Sequence, residues 1–142
     1  MSVLPETILQ FGSGRFLRAF ADLFIHHGNT QGQNVGRVVI VQSTGDGRAG
    51  GLNAQQGKYH VVVRGYENGQ VVDRVEACES VSRALHAGSQ WNEVLELARS
   101  PRLTTILSNT TEAGFKLEDD SPGDAVPKSF PAKLLAVLKA RW

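Results

Sequence analysis

One cysteine, Cys78, stands in 142 residues. That scarcity excludes an internal disulfide framework and a thiolate zinc site, since each needs more than one thiol. An excess of charge of either sign is also lacking. Fifteen Lys and Arg face 14 Asp and Glu, for a formal net charge of +1. A near-neutral chain makes no electrostatic case for a polyanion partner such as DNA. No apolar run approaches the roughly 18 residues that a membrane-spanning helix needs. Met1 to Glu6 lacks a basic region followed by an apolar stretch, so no secretory leader is expected. The four histidines, His26, His27, His60 and His86, have no partner acid at ligand spacing, and no metal site is expected. A Gly-x-Ser-x-Gly nucleophile motif is missing as well. What remains is a cytoplasmic domain without membrane or nucleic-acid partners. With 41% hydrophobic and 20% charged residues it is globular, and its length suits one domain, residues 1–142.

Glycine, by contrast, is plentiful at 15 residues, and its placement carries the argument. Thr7 to Phe11 is a short apolar run that stops at Gly12, which reads as a buried strand. From Arg15 the period changes. Phe16, Phe20, Leu23, Phe24 and His27 recur at three- and four-residue steps, which predicts one amphipathic helix closing near Gly28-Asn29. Thr30 to Gly36 is a loop, and Arg37 to Gln42 is a β-branched strand buried on both faces. Strand, glycine turn, helix and strand open a doubly wound α/β domain with a mostly parallel sheet and right-handed crossovers. Ser43 to Gly57 reads as a long polar loop. Tyr59 to Tyr66 and Gln70 to Val75 flank Glu67-Asn68-Gly69, the signal of a hairpin inserted beside the sheet. A helix is expected over Trp91 to Ala98 with Ser89 as its cap, then a buried strand over Leu103 to Ser108. Lys116 to Lys128 is a surface loop. A last helix follows, capped by Ser129, with Pro131 in its first turn and Leu134, Leu135, Leu138 and Trp142 on its apolar side.

Gly12-Ser13-Gly14, between a strand and a helix, is the strongest local signal. A diphosphate needs bare backbone. Gly12 permits the tight turn, Gly14 permits close approach, and the helix N-terminus favours the anion. A third glycine of the dinucleotide fingerprint would fall at 17, where Leu17 stands. Arg15 and Arg18 are within reach of a phosphate, or else flank the helix with Arg18 pairing Asp22. Phe16 packs on a cofactor or, in register with Phe20, in the core. The end of the second strand should meet a ribose. Gln42 and Ser43 can bond its hydroxyls; Asp46 favours NAD, whereas Arg48 would hold the extra phosphate of NADP. The balance leans to NAD. Asn109, Thr110 and Thr111 follow another strand and offer short donors and acceptors to ribose or carboxamide, and Glu112 is a candidate proton-relay or substrate contact. The same residues would equally serve as caps of a following turn.

Several stretches together resemble the polyol-specific long-chain dehydrogenase/reductase family, the mannitol dehydrogenase family. Ile8 to Phe20 contains its Gly-x-Gly-x-Phe-x-Arg pattern, in which Leu17 is no defect. Leu52 to Tyr59 is similar to the family's segment before its hairpin. Ser108 to Gly114 carries its Thr-Glu-x-Gly motif, and Ser129 to Leu134 resembles a following helix start. Gln10-Phe11-Gly12, Val41-Gln42-Ser43 and Ser108 to Gly114 look like the tagaturonate reductase (altronate oxidoreductase) branch; mannitol and fructuronate oxidoreductases are the alternatives. The resemblance implies a Rossmann-like domain, NAD, and hydride transfer at a secondary alcohol of a sugar acid or polyol. It also implies a catalytic lysine with Asn and His in a C-terminal helical domain. No position here matches that motif, and Lys133 belongs to an earlier segment. The expectation is therefore an N-terminal piece with an incomplete sheet, no catalytic residue of its own, weak dinucleotide binding and negligible turnover alone. An exposed sheet edge would favour self-association. Two readings from other classes compete: a non-catalytic nucleotide-binding module, and a methyl transferase whose glycine loop meets an adenosyl group.

Overall fold

A computed structural model describes residues 3–45 and 47–142. Four strands form one parallel sheet in the order β5-β2-β1-β6. They are β1 (Glu6–Phe11), β2 (Arg37–Gln42), β5 (Val81–His86) and β6 (Thr105–Ser108). Leu9 lies opposite Val39 on one side and Ile106 on the other. Helices α1 (Arg15–Ala19) and α2 (Ala21–Thr30) connect β1 to β2, and α3 (Arg48–Ala54) follows β2. Helix α4 (Ala87–Arg99) carries the chain from β5 back past β1 to β6. A 3-10 turn spans Glu112–Phe115, and α5 (Phe130–Arg141) closes the fold. Strands β3 (Tyr59–Glu67) and β4 (Gln70–Cys78) form a separate antiparallel hairpin. Its turn places Asn68 and Gly69 at φ +53° and +78°, the geometry that an Asn-Gly pair tolerates.

Alternation along the strands sorts the core. Odd positions Leu9, Phe11, Val39, Val41 and Leu85 face Trp91, Val94, Leu97 and Ala98 of α4 and Val137 of α5. Even positions Ile8, Val38, Ile40 and Ala84 face Ala49 and Leu52 of α3 and Ile25 of α2. Helices cover both faces, so the central strands are apolar on both sides except where Gln10 and Gln42 lie near their carboxyl ends.

The expected α/β architecture with its inserted hairpin is present, and several local expectations are corrected. The first helix is two. Phe20 leaves helical geometry at φ −117° and ψ −77°, and the Arg18 carbonyl at the break accepts a hydrogen bond from the Tyr59 hydroxyl at 2.8 Å. The aromatic stripe does not enter the core. Phe16, Phe20 and Phe24 are 60%, 50% and 63% exposed and stack on one another, with ring centroids 5.0 and 6.2 Å apart. Leu17, Asp22, Leu23 and Gly28 are buried instead. The stretch Ser43 to Gly57 contains α3, because Ala49 and Leu52 find apolar partners on the sheet. Strand β5 was not expected. Its Ser82 and Arg83 break the apolar pattern, but both bond Glu6, with Arg83 Nε and Nη2 at 3.0 and 3.1 Å. Helix α4 is broken at Gln90, at φ −128° and ψ 28°, so its regular part begins at Trp91 as expected, but the Ser89 hydroxyl contacts His86 Nδ1 and does not cap it. Ser129 does cap α5, its hydroxyl accepting from the Ala132 amide. On that helix Ala132, Lys133, Ala136 and Val137 are buried, whereas Leu135, Leu138 and Trp142 are exposed.

Candidate functional site

Strands β2 and β6 leave β1 on opposite sides, and their connections depart in opposite directions across the sheet. Beyond the carboxyl ends of such strands a crevice opens, since neither connection covers it. Here it is a cleft of about 370 Å³. Gly12, Ser13 and Gly14 follow β1, Gln42, Ser43 and Thr44 follow β2, and Asn109, Thr110 and Thr111 follow β6; all of them line it. Three sequence segments separated by up to about a hundred residues thus meet, as the strand–glycine–helix reading requires.

The two glycines are used differently. Gly12 has φ +117°, a region that side chains disfavour, and its amide donates to Val41 O at 3.0 Å. Its glycine is explained by the turn. Gly14 has φ −68° and ψ 162°, open to any residue, and a Cβ built there would meet nothing within 4 Å. Nothing in the folded chain demands glycine at 14. The bare surface faces the cleft, where a ligand's close approach would account for it. No side chain caps α1 at Gly14, so the first-turn amides have no side-chain partner. Because α1 ends after five residues, the expected long helix dipole is shortened, and donor N–H groups carry most of any anion binding.

Two glutamines hold the loops that form this floor. Both occupy the last even position of a central strand, and both are buried. Gln10 Nε2 donates to Gly12 O at 3.1 Å and to Asp22 Oδ2 at 3.3 Å. Gln42 Nε2 donates to Thr44 O at 2.9 Å, while its Oε1 accepts from the Ala49 amide at 2.7 Å. The Gln42 side chain, expected to bond ribose, is therefore occupied with the loop and with the start of α3. The Ser43 hydroxyl remains exposed at the cleft. Across the cleft, Ser108 and Thr110 hydroxyls bond each other, and Phe130 packs edge-on against Phe11 at 5.4 Å.

Other expected residues lie elsewhere. Phe16 is exposed outside the cleft. Arg15 and Arg18 line a neighbouring groove against Tyr59, His60, Val61 and Val62. The Arg18 guanidinium stacks over the Tyr59 ring at 5.3 Å instead of forming the ion pair with Asp22. Glu112 starts the 3-10 turn, exposed and outside the cleft lining, so it is not placed as a relay. Lys133 is buried and donates to the Lys128 carbonyl; burial holds its pKa below the ordinary lysine range. Arg48 does line the cleft, beyond β2, whereas Asp46 lies outside the described residues. Sequence reasoning missed Thr44, Gly114 and Phe130 as lining residues, and Gln10 as the support beneath Gly12. A polar residue ending an otherwise apolar strand is the signal that would have found Gln10.

The sequence profile of the mannitol dehydrogenase Rossmann domain matches residues 6–142. The chain belongs to this family. Among curated relatives, the altronate oxidoreductase of Halalkalibacterium halodurans is 44% identical over 99% of this chain and 28% of its own length. That of Phocaeicola vulgatus is 41% identical over 97% of this chain and 29% of its own. The chain thus spans less than a third of the relatives it matches. Two solved structures share the fold at low identity. A Pseudomonas fluorescens mannitol 2-dehydrogenase, in ternary complex with NAD and D-mannitol, superposes with a TM-score of 0.79 at 19% identity, over 96% of this chain and 31% of that one. A substrate-free D-sorbitol dehydrogenase gives 0.78 at 20% identity, over 98% and 32%. The matched residues include the Gly12-Ser13-Gly14 bend that floors the cleft, and the likeness in fold takes in the parallel sheet and the hairpin.

Proposed function

We propose that this chain is the NAD-binding part of an oxidoreductase acting on a CH–OH group of a sugar acid, of the altronate type. One observation carries the reading: a glycine-floored cleft at the carboxyl end of β1, between the oppositely directed connections of its neighbours β2 and β6, with Gly14 bare where its own fold has no need of glycine. Gly12, Ser13, Gly14 and the amides that follow would hold the diphosphate. Ser43 would meet the adenine ribose, and Asn109, Thr110 and Thr111 the nicotinamide side. When bound, the cofactor supplies or accepts the hydride. This chain's share is binding and orientation. Substrate choice and proton transfer would belong to the helical domain that the family resemblance implies; identity with altronate oxidoreductases supports the altronate type over mannitol or fructuronate, and no residue of the cleft bears on that choice. The work is assigned to the cytoplasm. Self-association through the free edge of β6 belongs to the same reading.

Titration with NADH, NADPH and S-adenosylmethionine, followed by protein fluorescence from buried Trp91, tests it. NADH should bind, more tightly than NADPH, and S-adenosylmethionine should not. Binding of S-adenosylmethionine alone would replace the oxidoreductase with the methyl transferase reading. Preference for NADPH would assign Arg48 to a 2′-phosphate. Turnover of altronate by this chain alone should be negligible.

A further inference from the structure

Beneath the glycine bend lies a buried polar group that the cleft itself does not use. Asp22, on α2, is 0% exposed. Its Oδ2 lies 3.3 Å from Gln10 Nε2 and 3.4 Å from the Tyr59 hydroxyl, and its Oδ1 has no partner among the described residues. The Tyr59 hydroxyl has one hydrogen, and the Arg18 carbonyl, at 2.8 Å, is the nearer acceptor. Among the described residues the Gln10 amide is therefore the one firm donor to this carboxylate. Its second N–H goes to the Gly12 carbonyl.

We propose that Asp22 is a positioning residue for the dinucleotide site: its carboxylate orients the Gln10 amide, and that amide fixes the Gly12 carbonyl, so the bend senses the charge on Asp22. The inference rests on the dinucleotide reading of the cleft. Gln42 supplies an internal comparison. It performs the same i to i+2 task under Thr44, but its other end is held by a backbone amide, which does not titrate. Only the bend under Gly12 hangs on an ionisable group. The charged and titratable neighbours of Asp22 are Arg18 on α1 and Tyr59 on β3, with Cys78 of β4 behind Tyr59. Arg18 Nε is itself buried without a partner, so the guanidinium acts on Asp22 at a distance and forms no ion pair. Burial is the largest influence on Asp22 and pushes its carboxyl up to about 6, against the Gln10 hydrogen bond, the longer Tyr59 hydroxyl contact and the Arg18 charge. The group therefore changes charge close to neutrality.

The test compares this chain with Asp22→Ala, Asp22→Asn, Gln10→Ala and the Asp22→Ala/Gln10→Ala double variant. NADH affinity is read by fluorescence, and Gly12 and Ser13 amide shifts and exchange rates by NMR. Asp22→Ala and Gln10→Ala should each weaken NADH binding about tenfold, and the double variant no further, since both cut one chain of contacts. Asn can accept from Gln10 Nε2 and also donate to the unpartnered Gln10 Oε1, so Asp22→Asn should keep affinity within about twofold. In the unsubstituted chain the bend amides should titrate with a midpoint near 6, and in Asp22→Asn they should not. Unchanged affinity in Asp22→Ala, multiplying penalties in the double variant, or bend amides that do not titrate would each overturn the proposal. Should Asp22→Ala fail to fold, Gln10→Ala and Asp22→Asn carry the comparison. Should the unsubstituted chain bind no NADH, the functional reading fails by itself, and the NMR measurements still decide whether Asp22 controls the bend.

Discussion

Gly14 and Gly12 look alike in the chain and differ in what they cost to replace. At Gly14 the backbone is ordinary and the space above it is open, so Gly14→Ala should leave urea-unfolding stability unchanged or slightly raised. It should nevertheless weaken NADH binding at least about tenfold, because a methyl group would occupy the approach to the diphosphate. Gly12→Ala should instead cost about 1–3 kcal/mol of stability, since φ +117° is strained for a side chain. Asp22 gives a second contrast. Its carboxyl is raised in the folded state, so the folded chain holds the proton more tightly than the unfolded one. Its contribution to stability is therefore full at low pH and falls as pH rises from about 4 to about 6, by about 3 kcal/mol in all. Glu6 has the opposite sign. Burial works against its charge, but hydrogen bonds from Arg83 and Ser82 hold its pKa below the usual carboxylate range. What it contributes is present above its unfolded value and lost as pH falls through the folded one. Denaturation across pH 4 to 7 should show the falling limb in this chain and not in Asp22→Asn.

Among the elements, α1 and α2 show how far periodicity can mislead. Phe16, Phe20 and Phe24 fall on one stripe at four-residue spacing, yet that stripe faces outward and Leu17 and Leu23 face the core. Spacing defines a face; it does not say which face has a partner. Leu23→Ala should accordingly cost about 2–5 kcal/mol. Phe20→Ser and Phe24→Ser should each cost under about 0.5 kcal/mol, as measured by urea denaturation. Ser129→Ala removes the cap of α5 and should cost about 1 kcal/mol. Elements whose signals are local were legible: β1, β2, the Asn-Gly hairpin and the capped α5. Those whose partners lie far along the chain were not. Strand β5 hides its pattern behind Ser82 and Arg83, which are satisfied by Glu6 some 77 residues away. Helix α3 looked like a loop because the Gly50-Gly51 pair interrupts its centre, and only Ala49 and Leu52 against the sheet reveal it.

For the molecule as a whole, the order β5-β2-β1-β6 creates the cleft, and among the described residues it leaves β6, like β5, paired on one side only. An unpaired strand edge invites another. Sedimentation should show association that grows with concentration, and Thr105→Lys, a charge on that edge strand, should reduce it. A monomer at all concentrations would count against the edge as an interface. The hairpin stands apart from the main sheet and is tied to α2 by His27 Nε2 and Glu76 at 2.7 Å and to α1 by Tyr59.

Composition, the glycine bend and the apolar strands already specified a doubly wound α/β domain and pointed to a dinucleotide, because hydrogen-bonding and steric demands at Gly12 and along β2 are local. The family resemblance then pointed to hydride transfer as the chemistry to expect. Which residues converge was settled in three dimensions alone. Gln10, Asp22 and Tyr59 sit on a strand, a helix and a hairpin, and no spacing connects them. Gln42 and Glu112 look equally suited to a ligand in one dimension. Folding engages the first beneath its own loop and leaves the second in solvent, since contact with a cleft depends on strand order and packing and not on residue type.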